Sequence, residues 1–170
     1  IKFRESFRPF APVVLQEAAQ RYFQLQDESP YMLVVDQVRP EWLFKESSEI
    51  NSTLDGYDYI RELLESHRSR LPAVTHVDNS ARIQTVDTER NPLFYRLLKE
   101  WEAETGCPVL VNTSFNIRGE PIVHSPADAL RCFLGTEMDV LVIGDYLLDK
   151  AANSHLAVAD ESYRDSFPLD

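Results

Sequence analysis

The chain has 170 residues, 44% of them hydrophobic and 26% charged, which suits one compact domain with a real core and excludes a disordered protein. Its net charge of -11 argues against general nucleic-acid binding, and no apolar run approaches the ~20 residues a bilayer span needs. Lys2 and Arg4 lead into a proline-interrupted stretch, not an apolar signal-peptide core, so a cytoplasmic protein with no membrane partner is expected.

In chain order, residues 1–12 read as an extended lead-in. A helix is expected next, because Val14, Leu15, Ala18, Ala19, Tyr22 and Phe23 recur at helical spacing. Tyr31–Val38 reads as a strand between two proline turns. Residues 41–58 read as a polar, acidic excursion, followed by a short helix at Tyr59–His67. Pro72–Val77 and Ala81–Val86 read as strands around the turn-forming triplet Asp78-Asn79-Ser80. The helix at 92–104 carries the clearest signals: Asn91 to cap it, Pro92 at its first position, and Gly106 to stop it. Its apolar stripe is Leu93, Phe94, Leu97, Leu98 and Trp101. A strand at 108–112 follows. A second helix starts at Ser125-Pro126 and ends at Gly135, and a final buried strand spans Asp139–Ile143. From Ala151 the chain is a weakly patterned tail. The alternation of strands and helices from 81 to 143 places the fold in the α/β (or α+β) class, with a largely buried sheet.

Charge is unevenly placed. Residues 41–65 hold seven acids against two bases and residues 149–170 five against two, whereas residues 1–12 carry Lys2, Arg4 and Arg8 against Glu5. Cys107 and Cys132 sit among Val, Leu and Phe and read as buried thiols in a reducing compartment. The four histidines show no ligand spacing, so no dedicated metal site is expected. The chain begins at Ile1, not Met, and reads as a piece of something longer or as a processed product.

The densest chemistry lies in PVLVNTSFNIRGEPIV, Pro108–Val123. An apolar strand runs straight into a turn holding Asn112, Thr113, Ser114, Asn116, Arg118, Gly119 and Glu120. Open α/β sheets bind ligands outside the carboxyl ends of their strands, and a guanidinium suits phosphate or carboxylate. Two readings stand for Asn112, Ser114 and Asn116: contacts to a base, ribose or phosphate, or satisfaction of the turn's own backbone. Glu120 either pairs with Arg118 or assists a metal-nucleotide. Arg8, Arg39 and Arg82 also sit at the edges of apolar elements, not on polar helix faces. If these arginines and Arg118 converge, the ligand carries several negative charges. His76 is either a general base or a strand-edge residue. No Walker-type phosphate loop, nucleophile elbow or dinucleotide-binding glycine fingerprint is present.

FRESFRPFAP (3–12), SPYML (29–33), LPAVTHVDNSARIQTV (71–86), CPVLVNTSFNIRGEPIV (107–123) and DVLVIGDYLL (139–148) together resemble the C-terminal domain of the nodulation-type and antibiotic-tailoring O-carbamoyltransferases. The resemblance covers residues 1–148. It implies a YrdC-like twisted mixed sheet that binds carbamoyl phosphate and ATP, with Mg carried on the nucleotide, and forms carbamoyl-adenylate. It also implies an N-terminal Kae1-like partner domain, absent from this chain, which holds iron and passes the carbamoyl group to an acceptor hydroxyl. On this resemblance Arg8, Arg39, Arg82 and Arg118 are the anion-binding set, with Arg82 and Arg118 stabilising charge during reaction. Asn112, Thr113, Ser114, Asn116 and Gly119 line the adjoining pocket. Asn79 stands where the family pattern VDGSAR has glycine, and asparagine tolerates positive φ. Lys2 and Lys45 are the candidates for a further cationic ligand. Two other readings are a nucleotide- or RNA-binding module without catalysis, and a structural partner domain.

Overall fold

The computed structural model describes residues 8–44, 56–58, 67–153, 163 and 167. These divide at Thr113–Ser114 into two compact units. The first is built on β1 (Ala11–Leu15), whose five residues are all buried. β1 pairs in parallel with β3 (Ser80–Val86) and antiparallel with β4 (Val109–Asn112). β2 (Val34–Gln37) adds antiparallel to β3, giving a mixed sheet of order β2-β3-β1-β4. With its helices this is an α/β fold, as the sequence predicts. Burial is deep only in the two middle strands, however; β2 and β4 are edges with exposed positions.

The helix expected from Val14 onward is a correction. Val14 and Leu15 belong to β1, and the helical spacing is satisfied only by a 3-10 turn (Gln16–Ala18) and one turn of helix, α1 (Ala19–Tyr22). A short apolar run with two adjacent valines reads either way, and here pairing on both edges decides for strand. The strand expected at Tyr31–Val38 shrinks to β2, because Met32 takes a left-handed φ of 58° just before it. Pro72–Val74 is a 3-10 turn instead of a strand. It is held by a closed ring of hydrogen bonds: Leu71 N donates to Ser69 Oγ (2.9 Å), Ser69 and Thr75 hydroxyls meet at 2.7 Å, and Thr75 donates to Leu71 O (2.8 Å). The excursion and helix expected at 41–67 lie mostly outside the described residues, of which 56–58 are helical.

The best-signalled helix is present as α2 (Pro92–Thr105). Asn91 Oδ1 accepts from Phe94 N at 3.2 Å, and Gly106, at φ 73°, closes the other end with N–H to Glu102 O at 2.7 Å. Its apolar stripe splits. Leu98 is fully buried and Phe94 packs beside it on the β1–β4 core, whereas Leu93, Leu97 and Trp101 are 71%, 55% and 42% exposed. A stripe wider than the contact surface leaves its outer row in solvent.

The second unit holds α3 (Pro126–Leu134) and a hairpin of β5 (Val140–Ile143) and β6 (Tyr146–Asp149). Ser125 caps α3, accepting from Asp128 N (3.2 Å) and donating to its carboxylate (2.6 Å). At the other end Lys150 Nζ donates to Phe133 O (2.6 Å) and to Thr136 O, satisfying terminal carbonyls where a cation is favoured. β5 is not the buried strand expected: Leu141 is buried, but Val142 faces solvent opposite Leu147. Gly144-Asp145 between two apolar runs is a hairpin signal, and it accounts for the sixth strand.

The split stripe of α2 is testable by urea unfolding. Leu98→Ala costs about 2–5 kcal/mol, the range for a buried leucine, and Leu97→Ala costs less than about 0.5 kcal/mol.

Candidate anion-binding site

The three strand registers fix where the candidate residues of the first unit fall. Val13 faces Gln84, Ala11 faces Asn112, and Gln37 faces Ser80. The amino ends of β1 and β3 and the carboxyl ends of β2 and β4 therefore share one end of the sheet. Arg82 lies near the start of β3 and Asn112 closes β4, with Thr113 after it. Arg39 follows β2 by two residues and Arg8 precedes β1 by three. So five of the nine candidate residues gather at a single end of one sheet. This is the amino end of the parallel pair, opposite to where a rule for parallel sheets points. The antiparallel β2 and β4 are what bring their own carboxyl ends there.

Arg82 is exposed, and Gln84 and Asn112 are half-buried. Strand alternation puts Arg82 and Gln84 on the face opposite Ala81, Ile83 and Thr85, which are buried. Asn112 donates through Nδ2 to Gln84 Oε1, so it shares that face. Gln84 Nε2 in turn donates to Pro30 O at 2.9 Å. None of Arg8, Arg39 and Arg82 has a carboxylate partner among the described residues. Arg21, Arg90 and Arg131 do: Arg21 meets Glu102, Arg90 bridges Glu28 (2.6 Å) and Asp87 (2.6 Å), and Arg131 meets Asp128 (2.8 Å). Arg39 is anchored by its backbone N–H to Tyr22 O (2.8 Å), and its Nε is buried with no hydrogen-bond partner among the described residues. An orphaned buried guanidinium donor is what an oxyanion would satisfy.

The turn before β3 is tightly made. Asn79 has φ 64°, the left-handed conformation anticipated for this position, and its N–H reaches His76 O at 3.0 Å. Asp78 accepts from both Ser80 Oγ (2.6 Å) and Ser80 N (3.0 Å), and these bonds hold its carboxyl below the usual aspartate range. Asp78 thus shapes the turn that launches β3 and its Arg82. His76 closes the same turn with its backbone N–H to Ser80 O (2.8 Å).

Ser114, Asn116, Arg118 and Gly119 belong to the second unit. Ile117–Glu120 is a turn in which Glu120 N reaches Ile117 O at 3.3 Å and Gly119 takes φ 79° at its third position. A type II turn needs glycine there, and it leaves Arg118 at the exposed second position. Ser114 donates to Asn116 Oδ1 (2.6 Å), and Asn116 Nδ2 donates to Glu120 O (2.8 Å), so both side chains bond within the turn. Glu120 accepts from Ile117 N at 2.8 Å and from the Tyr163 hydroxyl. Burial and this bond push the Tyr163 phenol well above its usual range. The ring of Tyr163 packs over Gly135, where any Cβ would collide with it. Gly135 has no positive φ, so the close approach of Tyr163, not helix termination alone, requires glycine.

Two of these residues carried no sequence signal of a site role. Gln84 is an ordinary strand residue until Asn112 and Pro30 are placed around it. Tyr163 lies in a segment without periodicity, yet it braces the turn that bears Arg118. Lys2 and Lys45 lie outside the described residues.

A cleft of about 400 Å³ opens at the other end of the first unit's sheet, beyond Leu15 and Val86. Glu17, Asp27, Glu28 and Asp87 line it with Gln16 and Gln20. Its carboxylate lining disfavours a phosphate-bearing ligand there.

Because folding lowers the proton affinity of Asp78, its contribution is complete above the ordinary aspartate range and is lost as pH falls below that range through the depressed folded value. The melting-temperature gap between wild type and Asp78→Ala should therefore be largest at about pH 6 and close towards about pH 3.

Residues 1–150 match the family model described as carbamoyltransferase C-terminus. Over 170 residues, all of this chain, it is 54% identical to an uncharacterized protein of Synechocystis sp., covering 27% of that protein. It is 41% identical to nodulation protein NolNO of Sinorhizobium fredii over 91% of this chain and 19% of that protein. It is 36% identical to the 3'-hydroxymethylcephem-O-carbamoyltransferase of Amycolatopsis lactamdurans over 89% of this chain and 24% of that enzyme. The chain thus spans between 19% and 27% of the length of these relatives. With its described strands and turns formed by the same segments that carry the motifs, the chain belongs to the carbamoyltransferase C-terminus family.

Proposed function

We propose that this chain is the part of an O-carbamoyltransferase that binds carbamoyl phosphate and ATP and forms carbamoyl-adenylate. The carbamoyl group then passes to an acceptor hydroxyl in an N-terminal, Kae1-like domain of the full-length protein. The observation that carries this reading is the gathering of Arg8, Arg39, Arg82 and Asn112 at one end of the sheet, with the arginines left without carboxylate partners among the described residues. In a chain of net charge -11 an unneutralised arginine set marks a place where an anion is wanted. The cephem O-carbamoyltransferase relative supports the choice of chemistry.

The residues present fit a phosphate-bearing ligand. Arg39 offers a buried donor and Arg82 an exposed fork on the same sheet end. Among the described residues no group of three His, Cys, Asp or Glu side chains gathers to hold a metal, so Mg would arrive on the nucleotide phosphates. There it would supply charge neutralisation. The chain's own residues bind and orient: Arg82 pairs with phosphate oxygens, Arg39 satisfies one more, and Asn112 fixes the polar end of the ligand. Arg118, presented by its type II turn, is assigned to charge that develops in the reaction. Positioning and electrostatics carry such chemistry without a protein nucleophile. Iron belongs to the N-terminal domain in this reading.

Calorimetric titration with carbamoyl phosphate, and then with ATP-Mg, tests it. Saturable binding is expected, weakened about tenfold or more by Arg82→Ala or Arg118→Ala, the loss typical of a charge-assisted hydrogen bond. Absence of binding to the folded chain, or binding indifferent to both substitutions, would overturn the reading.

A further inference from the structure

Asn112 has two chemically different ends, and the structure decides which one is offered outward. Pro30 O can only accept a hydrogen bond. Gln84 must therefore direct Nε2 towards it, and does so at 2.9 Å. That leaves Gln84 Oε1, a pure acceptor, against Asn112. Asn112 must answer with its own donor, Nδ2. The polarity of the chain Asn112 to Gln84 to Pro30 thus runs one way, set by a backbone carbonyl that cannot reverse. Asn112 Oδ1 is the end left over, and it has no partner among the described residues.

Asn112 therefore presents an acceptor, which repels phosphate oxygens and suits an N–H donor. Its neighbours on the sheet frame the space in front of it. Asn112 stands opposite Ala11 on β1. Continuing the β1–β3 register back from Val13–Gln84 sets Ala11 beside Arg82. Arg82 and Asn112 are thus two strands apart, about 10 Å between backbones, with Ala11 on the strand between them. An acyl phosphate bridging the two would turn its phosphate towards the guanidinium and its acyl end towards the carboxamide.

We propose that Gln84 is a positioning residue that locks the Asn112 carboxamide, so that Asn112 Oδ1 accepts a hydrogen bond from the amino group of the carbamoyl moiety. The proposal rests on the carbamoyl phosphate reading above and adds the source of its selectivity. Carbamoyl and acetyl phosphate have the same phosphate and differ in NH2 against CH3. A site that recognises the amino group discriminates between them, while one that grips only phosphate does not.

The test is the ratio of affinities for carbamoyl phosphate and acetyl phosphate, each measured by competition against inorganic phosphate. Wild type should favour carbamoyl phosphate roughly tenfold, the effect of one well-placed hydrogen bond whose loss leaves a partner unpaired. Gln84→Met, which keeps the length of the side chain and removes both hydrogen bonds, should bring the ratio to about one, with acetyl phosphate affinity held within roughly twofold. Asn112→Leu should abolish the preference as well. Because both ligands meet the same folded fraction, partial unfolding of a variant cancels from the ratio. Equal binding of the two ligands to wild type would overturn the proposal and leave the phosphate reading standing. An unchanged ratio in Gln84→Met, with both ligands weakened alike, would show a merely structural glutamine and overturn it too. Binding of neither ligand to wild type would overturn the functional reading, and this proposal with it.

Discussion

Everything in the first unit is referred to β1. Its five residues are buried, and it is paired on both edges, parallel on one side and antiparallel on the other. That double pairing sets two registers at once. The parallel one aligns β3, and hence Arg82 and Gln84; the antiparallel one aligns β4, and hence Asn112. A slip of one residue in either would turn these side chains into the core and the core side chains out. Ile83, Val14 and Leu98 are fully buried, so such a slip would expose core apolar surface and bury a guanidinium. The packing of the core is thus also the positioning device of the site.

The same strands separate charge. At the amino ends of β1 and β3 stand Arg8, Arg39 and Arg82, whereas beyond their carboxyl ends Glu17, Asp27, Glu28 and Asp87 line the cleft. The carboxylates of that cleft are largely engaged. Arg90 ties Glu28 to Asp87, and Glu17 accepts from Tyr95 at 2.5 Å. The arginines at the other end have no such neutralisation among the described residues. In the proposed function, arginines left without carboxylate partners among the described residues draw the anionic ligand to that end.

Much of this was legible in the sequence where a local signal was sufficient. Asn91, Pro92 and Gly106 bounded α2 to within a residue, since caps and stops act through their own backbone. Asn79 was readable as a left-handed position, and Gly119 as part of the site turn. What failed was whatever depended on partners distant in sequence. Val13 to Leu15 became a strand because β3 and β4 flank it, and no pattern within the run says so. Leu93, Leu97 and Trp101 share the apolar stripe with Leu98 yet stay exposed, because amphipathicity gives the width of an apolar stripe, not the width of the surface it meets. Asn112 closes β4 at its carboxyl end, where the sequence points, but that this end meets the amino ends of β1 and β3 depends on antiparallel pairing that no local pattern shows. Gln84 and Tyr163 act only through the groups they touch, so neither stood out in a linear reading.

In the proposed function, the anion binds at the end of the sheet where β1 and β3 begin. Heteronuclear NMR of the chain, labelled at side-chain nitrogens and titrated with carbamoyl phosphate, tests it most directly. Shifts concentrated at Arg82 Nε and at the carboxamides of Gln84 and Asn112, with Gln16 and Gln20 silent, are the predicted result. Saturable shifts at Gln16 and Gln20 in the acidic cleft, with Arg82 and Asn112 unmoved, would contradict it.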